Sequence, residues 1–239
     1  MNVLSAVATF YKQGGIFMHA VLVLSIVIAA IIVERMIVIG RALQIDGRRM
    51  TDDLVQRAGR GDLNGARQIA MGSGTPLARV AQEMLQTGYA EEEVLQTAAD
   101  DATTLVMPEL TRRLSYLGML ANSATLIGLL GTITGLITAI SGVGVADAAQ
   151  RSAHLAAGIS EALHTTAFGL TIAIPTLLLQ GWFSGRVDGI SEQIDELTIR
   201  LSKVMAKVAA NRTTGNTSAP AVARLQTQRV APATGTHGS

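Results

Sequence analysis

Two long stretches with almost no charge constrain this chain more than any other feature. Leu114 to Ala146 carries no charged residue, and Leu155 to Phe183 carries only Glu161. A third stretch, Gln13 to Val33, is also uncharged. A helix crosses a bilayer with about 20 predominantly apolar residues, so the sequence predicts three spans. Charged residues make up only 15% of the 239, below the roughly 25% of soluble domains, which fits a membrane protein. The first stretch runs directly into Glu34-Arg35 with no small-residue cleavage site, so it is expected to be a retained anchor rather than a secretory leader.

The distribution of charge sets the expected orientation. Arg35 to Arg113 holds ten Lys or Arg and the chain from Phe183 onward holds seven, against Lys12 alone at the start and Arg151 alone between the second and third spans. Basic residues stay on the cytoplasmic side, which puts the N-terminus outside. A net charge of +1 gives no reason to expect a nucleic-acid partner, and the absence of cysteine removes disulfide, thiolate and zinc-thiolate chemistry. The predicted fold class is an all-α polytopic membrane protein with three transmembrane helices that extend into the cytoplasm.

The divisions expected along the chain are an outer stub (1–12), a first span (13–38), a cytoplasmic helical domain (39–113) and a second span (114–141). An outer loop (142–157), a third span (158–183), a cytoplasmic helix (184–210) and a disordered tail (211–239) follow. Within the cytoplasmic domain two short helices are expected, roughly Arg41 to Ala58 and Leu63 to Ala70, followed by a long one. Asp62 is placed to cap the second, Pro76 suits a first helical turn, and Glu91-Glu92-Glu93 reads as a helix start. From Glu91 one continuous helix, kinked at most at Pro108, is expected to rise into the second span. After the third span Ile190, Ile194, Leu197, Leu201 and Val204 form one apolar stripe.

Helices in lipid associate by close packing of small residues. Gly131 and Gly135 form one such motif, Ala121, Gly128 and Gly135 recur every seven residues, and Ser160, Gly169 and Ala173 serve the third span; the first span is expected to pad the outside. Thr132 lies about nine residues below the outer end of its span and Thr166 about seven below its own. At 1.5 Å per residue their depths differ by about 3 Å, which allows one polar belt, although membrane threonines are often inert, bonded to the preceding turn. Glu161 is the sharpest feature, since an acidic residue inside a span normally faces a cavity or partner; an interfacial position is the other reading. His164, three residues on, is placed to hydrogen-bond to it, with Thr165 beside it. His19 reads as an interfacial histidine or as a proton-handling group.

The sequence resembles the MotA/TolQ/ExbB family of ion-driven motor subunits, most closely its three-span TolQ and ExbB branch. The resemblance is carried by Glu34-Arg35, Gly74-Thr-Pro-Leu-Ala-Arg-Val80, Gly128-Leu-Leu-Gly-Thr-Ile-Thr-Gly135, and Gly158-Ile-Ser-Glu-Ala-Leu with Thr166, Gly169 and Ala173-Ile-Pro175. It covers residues 15 to 185. The chain departs from the family pattern at Thr125, where relatives usually carry proline and a local kink, and at His164, where a small or apolar residue is usual.

The resemblance implies a multi-pass bacterial inner-membrane protein, a pentamer around paired single-span partners of the TolR, ExbD or MotB type whose membrane aspartate carries the ion. It implies that Thr132 and Thr166 line the path, that Glu161 is the family's acidic residue at the start of the third span, and that no cofactor is needed, the transported ion being a proton or alternatively sodium. The driven process would be TonB-type import, Tol-type envelope maintenance or gliding motility. A non-conducting membrane scaffold is the alternative from a different class. An enzyme is not expected, because Glu161 and His164 have no nucleophile, metal-ligand cluster or phosphate loop around them in the sequence.

Overall fold

A computed structural model of the chain describes residues 15–43, 46–145 and 150–217. Seven helices and no strand occur among these residues: α1 (Gly15–Ala42), α2 (Gly47–Gly59), α3 (Leu63–Met71), α4 (Pro76–Thr87), α5 (Glu92–Thr111), α6 (Leu114–Val145) and α7 (Arg151–Thr217). Three helical stretches are long and apolar enough to cross a membrane, in α1, α5–α6 and α7. The all-α class and the three spans expected from the sequence are therefore present.

The chain forms two compact units. The first joins the described part of Met1–Arg41 to Pro108–Gly189, and the second joins Ala42–Met107 to the described part of Ile190–Ser239.

The second unit is helical around an apolar core. Leu54, Met84, Leu85, Leu95, Ile194, Leu197, Leu201 and Met205 are fully buried. The expected stripe on α7 is thus real, but Met205 rather than Val204 continues it inward. Starts of the short helices follow ordinary capping chemistry: the Asp62 carboxylate accepts from the Gly65 amide at 2.8 Å, and the Thr75 hydroxyl accepts from Ala78 with Pro76 in the first turn. The long third helix expected there is two helices, because the chain turns at Gly88 with φ +78°. Tyr89 beyond that turn donates to the Ala58 carbonyl at 2.7 Å, its burial raises the phenol pKa above its ordinary value, and Arg212 stacks 4.1 Å from its ring centre. Residues 211–217 therefore continue α7, where a disordered tail was expected from 211; residues 218–239 lie outside those described.

In the first unit α1 buries Val21, Ile28 and Arg35, spaced by seven residues, together with Met18 and Ile39. Val23, Ile26 and Val33 are more than half exposed, as expected for a helix with lipid on most sides. The continuous helix expected from Glu91 into the second span is interrupted, and at Arg112-Arg113 rather than at Pro108, which lies inside α5. Arg113 has φ +68°, a conformation that β-carbon-bearing residues adopt only under constraint. The cause is visible in α1. Buried Arg35 donates through one guanidinium nitrogen to the carbonyls of Glu109 and Leu110, at 3.1 and 3.3 Å, which an unbroken helix would give to the amides four residues on. Its other terminal nitrogen bonds Glu34 at 3.0 Å, and Glu34 also pairs with Arg113.

This arrangement predicts that Arg35→Met strips α5 of its cap and takes the donor from the buried Leu110 carbonyl and the part-buried Glu109 carbonyl, at a cost of about 1–3 kcal/mol. Arg49→Met, removing a side chain that is 86% exposed in its pair with Asp46, should stay within about 0.5 kcal/mol. Thermal unfolding of the two purified variants in one detergent measures the contrast.

Candidate functional site: the seam between α6 and α7

The two helices run antiparallel at very short distance, and glycine is the reason. A β-carbon built on Gly169 would lie 2.7 Å from the Ala124 carbonyl oxygen and 3.4 Å from the Gly128 α-carbon. One on Gly128 would lie 3.2 Å from the α-carbon of Thr166, and one on Gly135 3.2 Å from that of Ala162. Gly158 meets Ala139 in the same way, at 2.5 Å from its β-carbon. Gly131 makes room for a side chain instead: the Thr165 methyl group occupies the place of its missing β-carbon, at 2.5 Å. Ala121, Ala124, Ala162 and Ala173 are buried along the same seam. Such small residues let backbones touch where no water is available to be expelled.

This approach brings Thr132 and Thr166 together. Their hydroxyls hydrogen-bond directly to each other. Thr166 also donates across the seam to the Gly128 carbonyl at 2.8 Å, while Thr132 reaches the Ala162 carbonyl on the opposite helix at 3.3 Å and Gly128 on its own at 3.4 Å. Other threonines of the spans behave differently. Thr125, Thr138 and Thr171 each bond the carbonyl four residues back on their own helix, the inert arrangement for a hydroxyl in lipid. Helix α6 passes through Thr125 without a break.

Each threonine hydroxyl has one proton to give and more than one acceptor near it. Thr132 to Thr166 to the Gly128 carbonyl is one self-consistent line of donation. Turning Thr132 to the Ala162 carbonyl and Thr166 to Thr132 is another. The pair can switch between them without creating a charge.

Glu161 is half-buried on α7, one turn before Thr165, whose hydroxyl donates to the Glu161 carbonyl at 2.9 Å. Its carboxyl group is directed to the first residue of α1, Gly15. The His164 ring does not follow the expected pairing as its closest contact: Nδ1 lies 2.6 Å from the Ser160 carbonyl oxygen and 3.4 Å from the Ser160 hydroxyl, which calls for the Nδ1–H tautomer. His19 is exposed on α1.

Sequence reasoning passed over three positions. Arg35 reads as a flanking charge and is the cap of α5. Gln180 reads as a polar residue near the end of a span, yet its amide covers Gly118, where a β-carbon would be 2.6 Å from its oxygen. Gly15 reads as the entry to the first span and lies under a carboxylate. A polar residue or a glycine at the edge of an apolar stretch is the one signal common to all three.

If glycine at the seam is required by distance, Gly169→Ala must push α6 away, part the Thr132–Thr166 pair and cost about 1–3 kcal/mol. Gly181, on the same helix, has nothing within 4 Å of the added carbon. Gly181→Ala should therefore be neutral or stabilise by about 0.5–1 kcal/mol through helix propensity. Thermal unfolding of the pair of variants separates packing from propensity.

Comparison with known proteins shows the family. Residues 73–196, which include the seam from Ala121 to Ala173, match the sequence model described as the MotA/TolQ/ExbB proton channel family. The biopolymer transport protein ExbB of Neisseria meningitidis serogroup A is 31% identical over 201 residues, covering 77% of this chain and 87% of that one. The ExbB-like protein 3 of Synechocystis sp. is 29% identical over 71% of this chain and 81% of its own length. An ExbB homologue of Methanothermobacter thermautotrophicus is 24% identical, covering 83% of this chain and 69% of its own.

Proposed function

The chain belongs to the MotA/TolQ/ExbB proton channel family, and from that premise we propose that it forms the proton path of an inner-membrane motor complex. At the coarser level it is a membrane transport subunit of the proton-channel type. The observation that carries the finer reading is the direct bond between Thr132 and Thr166 across the seam. Hydroxyls that bond across a seam can also hold helices together, but a pair with two alternative lines of donation supplies the reversible donors that a path for protons needs.

On this reading Glu161 stands at the outer end of the path and Thr132 and Thr166 at its middle, with His164 and Thr165 shaping the surroundings of Glu161. The positive-inside distribution of Lys and Arg supports an outer N-terminus. The charge carrier is the membrane aspartate of single-span TolR-, ExbD- or MotB-like partners held within a ring of copies of this chain, five by the family pattern. Passage of one proton down the potential releases about 2.3 kcal/mol per 100 mV, which the complex turns into mechanical work on the cell envelope. Among the candidate processes, the names of the similar proteins, biopolymer transport proteins, favour energised import over envelope maintenance or gliding.

Replacing both Thr132 and Thr166 by valine keeps shape and volume close while removing both hydroxyls. The expected outcome is a complex of unchanged mass and composition by native mass spectrometry, with the proton-driven process reduced to the level of a deletion strain. Normal driven activity in the double variant would overturn the reading.

A further inference from the structure

Resting on the reading of Glu161 as part of the ion path, we propose that Gly15 is the positioning residue for its carboxyl group. The bare backbone that opens α1 is then one wall of the path's outer end.

The geometry is specific. A β-carbon on Gly15 would lie 1.6 Å from Oε1 of Glu161, 2.6 Å from Cδ and 3.1 Å from Cγ. The whole end of the glutamate side chain therefore occupies the volume that any other residue would fill. Gly15 also has φ +63°, a conformation open to glycine and strained for residues with a β-carbon. Two independent requirements thus fall on one residue.

The backbone of Glu161 has little freedom to retreat. The next residue, Ala162, is packed against Gly135, and the Glu161 carbonyl accepts from Thr165. A β-carbon at residue 15 would instead swing the flexible carboxyl group off its seat, leaving the α6–α7 seam intact. Helix α1, expected from the sequence to be outer padding, in this way fixes the position of a polar group on α7, one turn from the threonine pair.

The two requirements on Gly15 can be told apart. Glu161→Asp withdraws the carboxyl by one methylene and relieves the clash with a new β-carbon, but does nothing for backbone strain at residue 15. The experiment uses the complex isolated whole from its own membranes and reconstituted into vesicles loaded with a pH-sensitive dye, with proton influx read under an imposed gradient. Gly15→Ala should lower influx roughly tenfold or more, up to the roughly hundredfold that a 1 Å misplacement of a working group can cost. Adding Glu161→Asp to that variant should recover most of the loss. Wild-type influx in Gly15→Ala, or a double variant no better than the single one, would overturn the proposal.

If Gly15→Ala fails to assemble, Glu161→Asp beside the native Gly15 decides instead. It must assemble and conduct less, and full conduction would refute the seat. Thr132→Val with Thr166→Val in the same vesicles reports on the ion path separately. Should that pair leave influx unchanged, the path is wrong, and thermal unfolding still tests the seat: Gly15→Ala and Glu161→Asp must be non-additive, whereas additive effects refute it.

Discussion

The distance between the backbones of α6 and α7 is the constraint on which the candidate site depends. Inside a bilayer, apolar side chains gain nothing by leaving lipid for protein, so helices are held by close contact and by polar groups that find partners. Here the contact is backbone on backbone, with the α-carbons of Gly128 and Gly169 facing each other. Threonine side chains are short, and a hydroxyl reaches a carbonyl on a neighbouring helix only when that helix is as near as its own. Thr166 meets this condition at Gly128 and Thr132 meets it at Ala162. The glycines create the polar site by bringing no side chain to it, and Gly128 supplies one of its carbonyls.

The same rule governs the break between α5 and α6. Backbone carbonyls away from water need donors, and the buried one of Leu110 and the part-buried one of Glu109 at the end of α5 receive the Arg35 guanidinium in place of the amides that would have continued the helix. A charged side chain from α1 thereby sets where α6 begins and in what conformation Arg113 precedes it. Glu34 bonds both arginines, so the cationic groups at this junction share one carboxylate.

Features that depend on composition and local chemistry were legible in the sequence. Uncharged length gave three spans, Asp62 and Pro76 marked helix starts, and glycine recurrence every seven residues named the face along which α6 meets α7. Thr132 and Thr166 were placed at one depth by counting residues, and they do meet. What local reading missed was tertiary in origin. Arg113 carries no sequence signal for a left-handed backbone, because the cause is a donor from residue 35. Pro108 is the usual breaker and breaks nothing. The α7 helix shows no stop at the end of its apolar part, since no proline stands between Phe183 and Ala210 and the helix carries Gly185 and Gly189 without a break, and it was the change of polarity, not of conformation, that suggested a boundary. The carboxyl of Glu161 finds Gly15 rather than the nearby His164 because side-chain reach across helices does not follow spacing along one.

The spans of the first unit leave most of their apolar surface uncovered. They bury only 17–28% of their most apolar windows, and Leu126, Ile137, Ile140, Leu163 and Leu178 are all more than half exposed. A soluble protein could not carry such a surface, and lipid or neighbouring helices must cover it. Around the threonine pair the described seam offers hydroxyls and carbonyls, and Glu161 and His164 are the ionisable residues of the apolar part of α7. Neutral donors can reorient and pass a proton on, yet they cannot store one against a potential. On the function proposed above, coupling of flow to force calls for an ionisable group on a partner helix, and the exposed apolar faces of the spans are consistent with such a neighbour.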